Sequence, residues 1–269
     1  MQGIEVMRLS ELFARADRLA LDHALETPQR PQFHTLYVGT RGRGEIFVDF
    51  ARVPLGAGKL TVVAGNRVQY FAVTPGVDAW MVLFAPEVVP PGAVPAILAP
   101  AWEVPSLDIP PEDQRELVAL FELMAAEQRR APDAQQVALQ TALLHALILR
   151  ADRLRGRAAA PSSPALERFF TILERDHART RRVAHYAKAA GVSARRLGEL
   201  LVAHAGKSTK AVIDERVLLE QRRLLAHTDI SVKELADRTG FAEPTNLVKF
   251  FRHLAGETPL AFRARYRAK

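Results

Sequence analysis

The chain has 269 residues, a formal net charge of +7 and no cysteine. Its length suits two domains, and the absence of cysteine excludes disulfides and Cys-ligated metal centres, which fits a reducing compartment. No stretch approaches ~18 uninterrupted apolar residues, and the start of the chain has no signal-peptide pattern. We therefore expect a cytoplasmic protein without a membrane span.

The charge is distributed unevenly along the chain. Residues 1–161 contain 16 Lys and Arg against 18 Asp and Glu, a net charge of −2, whereas residues 162–269 contain 21 against 12, a net charge of +9. A basic half of this kind favours binding to nucleic-acid phosphates, because counterions are released on contact. On charge alone, a basic surface that only confers solubility fits equally well.

From residue 33 to about residue 89 the sequence is typical of β-structure. Short segments with alternating apolar residues, such as HTLYVGTRG and GKLTVVAGNRVQYF, are separated by glycines. Many short strands at regular spacing predict a small sandwich or barrel. The segment GTRGRG at residues 39–44 resembles a phosphate-binding loop only loosely, because it is predicted in a hairpin and not before a helix.

Two helices are predicted after the strands, over residues 112–130 and 134–155. The second helix is apolar on more than one side, because it carries two stripes with helical spacing. One stripe can pack on the strands, and the other needs a cover, either the first helix or a second copy of the chain. The stripes consist of Val137, Thr141, Leu144 and Ile148, and of Leu139, Leu143 and Leu147.

Residues 156–164 are predicted to be a linker. Their sequence, GRAAAPSSP, combines small residues and two prolines without any apolar periodicity. The acidic half of the chain and the basic half therefore form separate domains in this prediction.

The segment that begins at residue 231 predicts a helix-turn-helix motif. Ser231 and Glu234 have the spacing of a capping box, Gly240 lies where the chain must reverse, and Pro244 suits the first turn of a second helix that ends before Gly256. This order is the layout of a DNA-binding motif, and we call its second helix the recognition helix. The residues left on the outer face of that helix are Thr245, Asn246, Lys249 and Arg252.

An earlier segment repeats this plan. Gly191 corresponds to Gly240, the recognition helix is predicted to start after the N-cap Ser193, and residues 209–227 would form a helix that joins the two motifs. Gly198 is a departure, because glycine inside a helix costs about 0.5–1 kcal/mol relative to alanine and has no side chain to contact a base. The candidate base-contacting residues of this copy are Arg195, Arg196 and Glu199.

The residues of the second motif resemble the C-terminal signature of the AraC/XylS family of bacterial transcription regulators. The resemblance is specific because many marks occur in the family's order over residues 223–263. It implies that the two recognition helices enter successive major grooves of duplex DNA. The matching residues are Leu224, Leu225, Glu234, Leu235, Ala236, Gly240, Phe241, Asn246, Leu247, Phe250, Phe251, Gly256, Thr258, Pro259, Phe262 and Arg263.

The resemblance also implies an α+β organisation in three parts. Residues 1–155 would form a cupin-like β-barrel with two helices that binds a small-molecule effector, residues 156–164 the linker, and residues 165–269 an all-α domain with two helix-turn-helix units. Family members commonly pair through a helix like the one predicted at 134–155, so we expect a homodimer. The expected partners are double-stranded DNA and the effector, with RNA polymerase as a further candidate and without a cofactor.

Five residues of the predicted strands are candidate effector contacts, although the resemblance is looser here. Metal-dependent cupins need clustered His and Glu ligands, and His34 is the only histidine of the β region. We therefore expect no catalytic metal and no enzyme activity. Each candidate also fits an ordinary place in the core or on the surface. The candidates are His34, Tyr37, Phe47, Asp49 and Tyr70.

Two other functions remain open at the level of sequence. One is a DNA-binding protein whose barrel is a metal-dependent enzyme, and the missing ligand cluster disfavours it. The other is an architectural DNA-binding protein without an effector, which would not need a barrel of this size. The effector, the operator sequence and the direction of regulation do not follow from the sequence.

Overall fold

The structure, a computed structural model, describes residues 3–20, 25–72, 76–89, 98, 106–131, 133–158 and 163–267. The chain divides into two compact units, Met1–Ala160 and Pro161–Lys269, which we call the N-terminal unit and the C-terminal unit.

Antiparallel strands form the centre of the N-terminal unit. The strands are β1 (Ile4–Arg8), β2 (His34–Arg41), β3 (Arg43–Val48), β4 (Ala51–Gly56), β5 (Lys59–Val63), β6 (Gln69–Ala72), β7 (Asp78–Phe84) and β8 (Ser106–Asp108). Among the described residues they make a larger sheet in the order β1-β7-β2-β5-β8 and a smaller sheet in the order β4-β3-β6.

The alternation of side chains along β2 decides which residues lie between the two sheets. Leu36 is in register with Val82 of β7, and both belong to the core on the helix side of the larger sheet. Tyr37 points the opposite way, as the two-residue period of a strand requires. It is buried together with Ile46 and Phe71 between the sheets. The N-terminal unit therefore has two apolar layers, one on each face of the larger sheet.

The two sheets approach each other closely at Gly39 of β2. A Cβ at this position would lie only 1.5 Å from the carbonyl oxygen of Gly56 in β4, so a side chain has no room. Gly42, which follows in the hairpin between β2 and β3, has a φ of +69°. Two of the glycines in the segment GTRGRG thus have a structural role in packing and turning the strands.

Helices cover the outer face of the larger sheet. They are α2 (Pro111–Gln128) and α3 (Ala134–Ala158), and a shorter helix, α1 (Leu9–Arg18), follows β1. Leu117 and Phe121 of α2 and Leu144 and Ile148 of α3 are at most 1% exposed in the core that they share with the sheet. Leu144 and Ile148 of the first predicted stripe and Leu147 of the second are therefore covered within the chain itself, whereas Val137 and Leu139 near the start of α3 are exposed.

Three of these elements are absent from the sequence prediction, namely β1, α1 and β8. β1 is defined by pairing with β7, a partner far along the chain, in which Ile4 lies opposite Phe84. α1 begins after Arg8, whose backbone N–H donates to the Glu11 carboxylate at 3.1 Å, without a Ser or Thr cap. Neither stabilising contact leaves a clear local pattern in the sequence.

The mixed α and β class is confirmed, but the predicted cupin-like barrel is not. Within the described residues β1 and β8 are the edges of the larger sheet and β4 and β6 those of the smaller one, so the pairing does not close. The alternating pattern alone could not separate a closed barrel from two packed sheets, because both bury one face of each strand.

The predicted linker starts later than its composition indicates. Helix α3 continues to Ala158, through the first three residues of the segment 156–164. Residues 159–162 lie outside the described part, and Ser163 already caps the next helix.

The described part of the C-terminal unit is helical. Its helices are α4 (Pro164–Asp176), α5 (Val183–Ala190), α6 (Ala194–Ala205), α7 (Thr209–His227), α8 (Val232–Arg238), α9 (Pro244–Ala255) and α10 (Pro259–Arg267). The pairs α5–α6 and α8–α9 are the two predicted helix-turn-helix motifs, which we call the first motif and the second motif. The joining helix α7 has the predicted bounds.

Helix α7 is the centre of this unit. It contacts α6, α9 and α10, so both recognition helices pack on the same scaffold. Val212, Ile213, Val217 and Leu225 along α7 are at most 2% exposed. Burial of this many apolar side chains along one helix fixes the two motifs relative to each other.

Candidate nucleic-acid interface

The second motif is built by the capping box and turn that the sequence predicts. Ser231 Oγ accepts the N–H of Glu234 at 3.1 Å, and Glu234 Oε2 accepts the N–H of Ser231 at 2.9 Å. The hydrogen bond that the Glu234 carboxylate accepts from the Ser231 N–H, together with the Ser231 hydroxyl beside it, holds the pKa of Glu234 below its ordinary value. Gly240 has a φ of +73°, and a Cβ there would lie 2.4 Å from the carbonyl oxygen of Ala178. Both the backbone conformation and the close contact require glycine.

The recognition helix α9 buries one face and leaves a polar face in solvent. Leu247 and Phe251 are fully buried, and Pro244 is the first residue of the helix. Within the described residues, the side chains of the exposed face make no hydrogen bond or ion pair with the protein, so their donors are available to a ligand. These side chains are Thr245, Asn246, Lys249 and Arg252.

The first motif presents an equivalent face. Ser193 Oγ accepts the N–H of Arg196 at 3.1 Å and thereby caps the recognition helix α6. The exposed Glu199 accepts hydrogen bonds from Arg195 Nε at 3.1 Å and from Arg196 Nη1 at 3.3 Å. Exposed pairs of this kind contribute about 0–1 kcal/mol, so the arginines can exchange Glu199 for a base or a phosphate at little cost.

Gly198 of α6 is not required by packing. A Cβ at this position would meet only Thr209 Oγ1, at an ordinary contact distance of 3.9 Å. The residue therefore weakens α6 without a steric reason, and the structure gives no physical account of it.

A buried hydrogen-bonded chain connects the second motif to α7. Gln221 Nε2 donates to Thr239 Oγ1 at 3.1 Å, and Thr239 Oγ1 donates to the carbonyl oxygen of Leu235 at 2.7 Å. Gln221 is fully buried and Thr239 is 1% exposed. The end of α8 is therefore fixed to the joining helix just before the turn at Gly240.

The loop between α4 and α5 contains basic residues outside the set predicted from the sequence. The guanidinium of Arg181 lies over the ring of Phe241 at 3.8 Å and near that of Phe250 at 5.3 Å. Burial lowers its pKa below the ordinary value. The signal in the sequence is the run HARTRR before the first motif, which contains Arg179, Arg181 and Arg182.

Four of the five candidate effector residues lie in three separate places. Tyr37 is 1% exposed between the two sheets, where burial raises the pKa of its hydroxyl far above the ordinary value. Phe47 and Tyr70 stack on each other, with ring centroids 4.5 Å apart, on the outer face of the smaller sheet. Asp49 forms a buried ion pair with Arg67 at 3.0 Å.

His34, the fifth candidate, lies at the start of β2. Its Nδ1 accepts the N–H of Gly65 at 3.1 Å, so the proton of the neutral ring is on Nε2. Burial lowers the pKa of His34, against an opposing effect of the negative charge on Glu87, so the ring is neutral near pH 7. The ring lies 5.3 Å from that of Phe84.

The described residues contain no group of three or more His, Asp or Glu side chains placed to hold a metal ion. None of the helices described is both long and apolar enough to cross a lipid bilayer.

Comparisons with known proteins match the C-terminal unit. Residues 186–265 match the helix-turn-helix domain family. The HTH-type transcriptional regulator GlxA of Rhizobium meliloti (strain 1021) is 36% identical over 100 residues, which are 37% of this chain and 30% of that protein. The chain therefore aligns with less than a third of the length of this curated relative.

Two solved structures are also similar to the chain. The DNA-binding domain of AdpA, a global transcriptional factor in complex with a target DNA, is 34% identical over 40% of this chain and 96% of that one, with a TM-score of 0.36. Wild-type ToxT from Vibrio cholerae with a bound unsaturated fatty acid is 10% identical over 97% of this chain and 94% of that one, with a TM-score of 0.46.

Proposed function

We propose that the chain binds specific operator sequences under the control of a small molecule. Through its C-terminal unit the chain belongs to the AraC family of transcription regulators. The DNA-binding part of this proposal rests on the two capped recognition helices, each of which has an exposed polar face. Arg196 suits guanine and Asn246 suits adenine, because each side chain can form two hydrogen bonds to the major-groove edge of that base.

In this proposal Arg195, Arg196 and Glu199 of the first motif and Thr245, Asn246 and Lys249 of the second contact base edges. Arg252 lies a turn further along α9, where a side chain more readily reaches a phosphate. The net charge of +9 on residues 162–269 supplies the attraction that does not depend on sequence.

The DNA-binding part of the proposal is tested by measuring how the DNA affinity of the full chain depends on salt concentration. If the protein neutralises about six to ten phosphates, its affinity falls about 10³- to 10⁵-fold between 50 and 200 mM salt. Failure to bind any duplex at low salt would overturn the proposal. A chain with both Arg196→Ala and Asn246→Ala serves as the control, because it should keep much of the salt dependence while losing sequence preference.

For the N-terminal unit we propose the sensor role, with a cupin-like arrangement of its strands, over residues 1–155. His34 is the contact that the geometry favours, since its Nε2–H has no partner among the described residues. The other four candidates already make contacts within the protein, as described above. They are Tyr37, Phe47, Asp49 and Tyr70. A binding site needs only an apolar lining with a few placed polar groups.

The sensor role is tested by calorimetry with and without operator DNA. An effector regulates DNA binding only if it prefers one state of the protein, and a coupling of about 1–3 kcal/mol is usual. The coupling is reciprocal, so the operator must change effector affinity by the same factor. Equal affinities in the two titrations would exclude an allosteric sensor, and turnover of the small molecule would favour the enzyme alternative over the proposed function without catalysis.

We further propose that α3 pairs two copies of the chain, through a face other than the one that contains Leu144. One face of α3 carries five exposed residues and the half-buried Ala146 at spacings of four and three, which is the pattern of a coiled-coil seam. Leu139 and Leu149 in this seam are 45% and 63% exposed. We call this set the α3 seam, and its members are Gln135, Leu139, Ala142, Ala146, Leu149 and Arg153.

RNA polymerase stays a candidate partner, because an activator acts through it, and the bacterial cytoplasm is the proposed location, because the operator lies there. We propose no resident cofactor.

A further inference from the structure

A basic cleft in the C-terminal unit has no role in the function proposed so far. It has a volume of about 530 Å³ and is lined mainly by cationic side chains from the loop between α4 and α5. We call it the arginine cleft. Its lining residues are Arg179, Thr180, Arg181, Arg182, Lys210 and Gly240.

The positive charge of the arginine cleft is largely uncompensated. In the part of the chain that the structure describes, Arg179, Arg181 and Arg182 form no ion pair with a carboxylate. Lys210 pairs with Asp214, which is also the acidic group whose charge acts on Arg181. Three guanidinium groups in one depression repel one another, and an anion placed among them removes that repulsion.

Arg181 is held in place before any ligand arrives. Its guanidinium rests on the ring of Phe241, and burial disfavours its charged form. A charged group that is partly withdrawn from water and forms no direct ion pair gains more from an anion than a fully solvated arginine does. Arg179 and Arg182 are exposed at the rim and can close over the same anion.

The cleft lies at the junction of the two motifs. Arg182 immediately precedes α5 of the first motif, Lys210 is in the first turn of the joining helix, and Gly240 is the turn of the second motif. No side chain caps the start of α5, so the positive end of that helix adds to the arginine charge. In the proposed function, a duplex that contacts α6 and α9 together passes from one of these motifs to the other.

We propose that the arginine cleft binds a phosphate group of the DNA backbone, between the segments that the two recognition helices contact. Arginine suits this ligand because its planar guanidinium can donate two parallel hydrogen bonds to phosphate oxygens. The contact carries no sequence information and fixes the position of the duplex against both motifs at once. The inference rests on the proposed function.

The first test measures DNA affinity against salt for the full chain, with Arg179→Gln, Arg182→Gln and the double variant. Each lost phosphate contact should reduce the slope of log K against log salt by about 0.9, and weaken binding about eightfold at 0.1 M salt. The loss should be equal for an operator and for a scrambled duplex. Lys188→Gln is the matched control, because Lys188 is an exposed cation on α5 outside the cleft.

The second test locates the phosphate. Single methylphosphonate groups, which are neutral, replace each backbone phosphate of the duplex in turn. At one backbone position, the neutral group should weaken DNA binding by the wild-type chain and by Lys188→Gln. The same substitution should not weaken DNA binding by the double variant any further. Such non-additivity identifies a direct partnership between the side chains and that phosphate.

The outcomes separate the two proposals. If wild type binds no duplex, the proposed function and this inference both fail. If wild type binds DNA and the double variant has an unchanged salt slope, only this inference fails. A free anion is tested with pyrophosphate and the DNA-free chain. Pyrophosphate binding that the double variant loses, combined with an unchanged slope on DNA, assigns the cleft to a free anion and contradicts the proposal.

Discussion

Arg216 of α7 donates two parallel hydrogen bonds to Glu174 of α4, from Nε to Oε1 at 2.8 Å and from Nη2 to Oε2 at 2.7 Å. The Arg216 side chain is 5% exposed, and it also pairs with Glu220 one turn further along α7. This ion pair connects the first helix of the C-terminal unit to the helix that joins the two motifs. The unit therefore contains a charged contact whose geometry depends on the correct packing of α4.

Removing one partner of this pair should destabilise the C-terminal unit. We predict that Glu174→Ala lowers the free energy of unfolding by about 3 kcal/mol, because it leaves a buried guanidinium with less compensation. Urea denaturation of the full chain measures the loss. The exposed pair of Lys207 and Glu215 is the control, and Glu215→Ala should change stability by less than about 1 kcal/mol. Equal effects of the two variants would contradict the assignment.

The same pair predicts a dependence of stability on pH. Burial by itself would raise the pKa of Glu174, but the hydrogen bonds and charge of Arg216 outweigh it and hold the pKa below the ordinary value of 4.5. The unfolded chain then takes up the proton first as pH falls, so this stability is present above pH 4.5 and is lost through the folded-state pKa. Burial and Arg216 also lower the pKa of His177, so a further loss begins below its ordinary value of 6.5.

Unfolding free energies at about pH 7, 5.5 and 4 test this account. Wild type should lose unfolding free energy in both pH intervals. Glu174→Gln should reduce only the loss in the lower interval, because it removes the carboxyl but leaves His177. A Glu174→Gln chain with the same acid sensitivity as wild type would show that other carboxylates are responsible.

Two glycines of the recognition motifs should respond oppositely to the same substitution. Gly240→Ala is predicted to destabilise the unit by about 1–3 kcal/mol, because it strains a residue with positive φ and places Cβ against the carbonyl oxygen of Ala178. Gly198→Ala should stabilise it by about 0.5–1 kcal/mol, since α6 has room there. Thermal or urea unfolding of the two variants measures these changes in stability. A stabilising effect of Gly240→Ala would be inconsistent with the turn described.

The α3 seam predicts which substitutions produce monomers. The double variant Leu139→Glu and Leu149→Glu should reduce the mass in light scattering to that of one chain without unfolding it. Val137→Glu is the control, because Val137 is 56% exposed on α3 but lies off the seam. Leu144→Glu and Ile148→Glu should unfold the N-terminal unit, because both side chains are fully buried in its core. An unchanged mass in the seam variant would place the dimer contact elsewhere.

The C-terminal unit could be predicted well because its signals are local. Ser231 with Glu234, the turn at Gly240 and the proline at the start of α9 each determine a few neighbouring residues, and the repeat supplied the first motif. The N-terminal unit depends on distant pairing. β1 forms only by pairing with β7. A pattern of alternation shows that Phe47 and Ile46 point to opposite faces of a strand, but it does not show which face is covered.

The contacts of Arg181 show the same limit within the C-terminal unit. Its stacking partners Phe241 and Phe250 are 60 and 69 residues further along the chain, so only the packing of the second motif against the loop brings them together. The sequence shows a run of arginines there but not that one of them is held and partly buried. The cleft that they form could therefore be found only from the structure.

The central claim is that both recognition helices contact bases, and selection of bound duplexes from a random pool tests it most directly. For wild type we predict two blocks of base preference, about 10 base pairs apart, as expected for helices in successive major grooves. Arg196→Ala should erase preference at one pair of one block and Asn246→Ala at one pair of the other, each at a cost of about 1–3 kcal/mol. Selected sequences that are the same for wild type and both variants, or no selected sequence at all, would contradict the account.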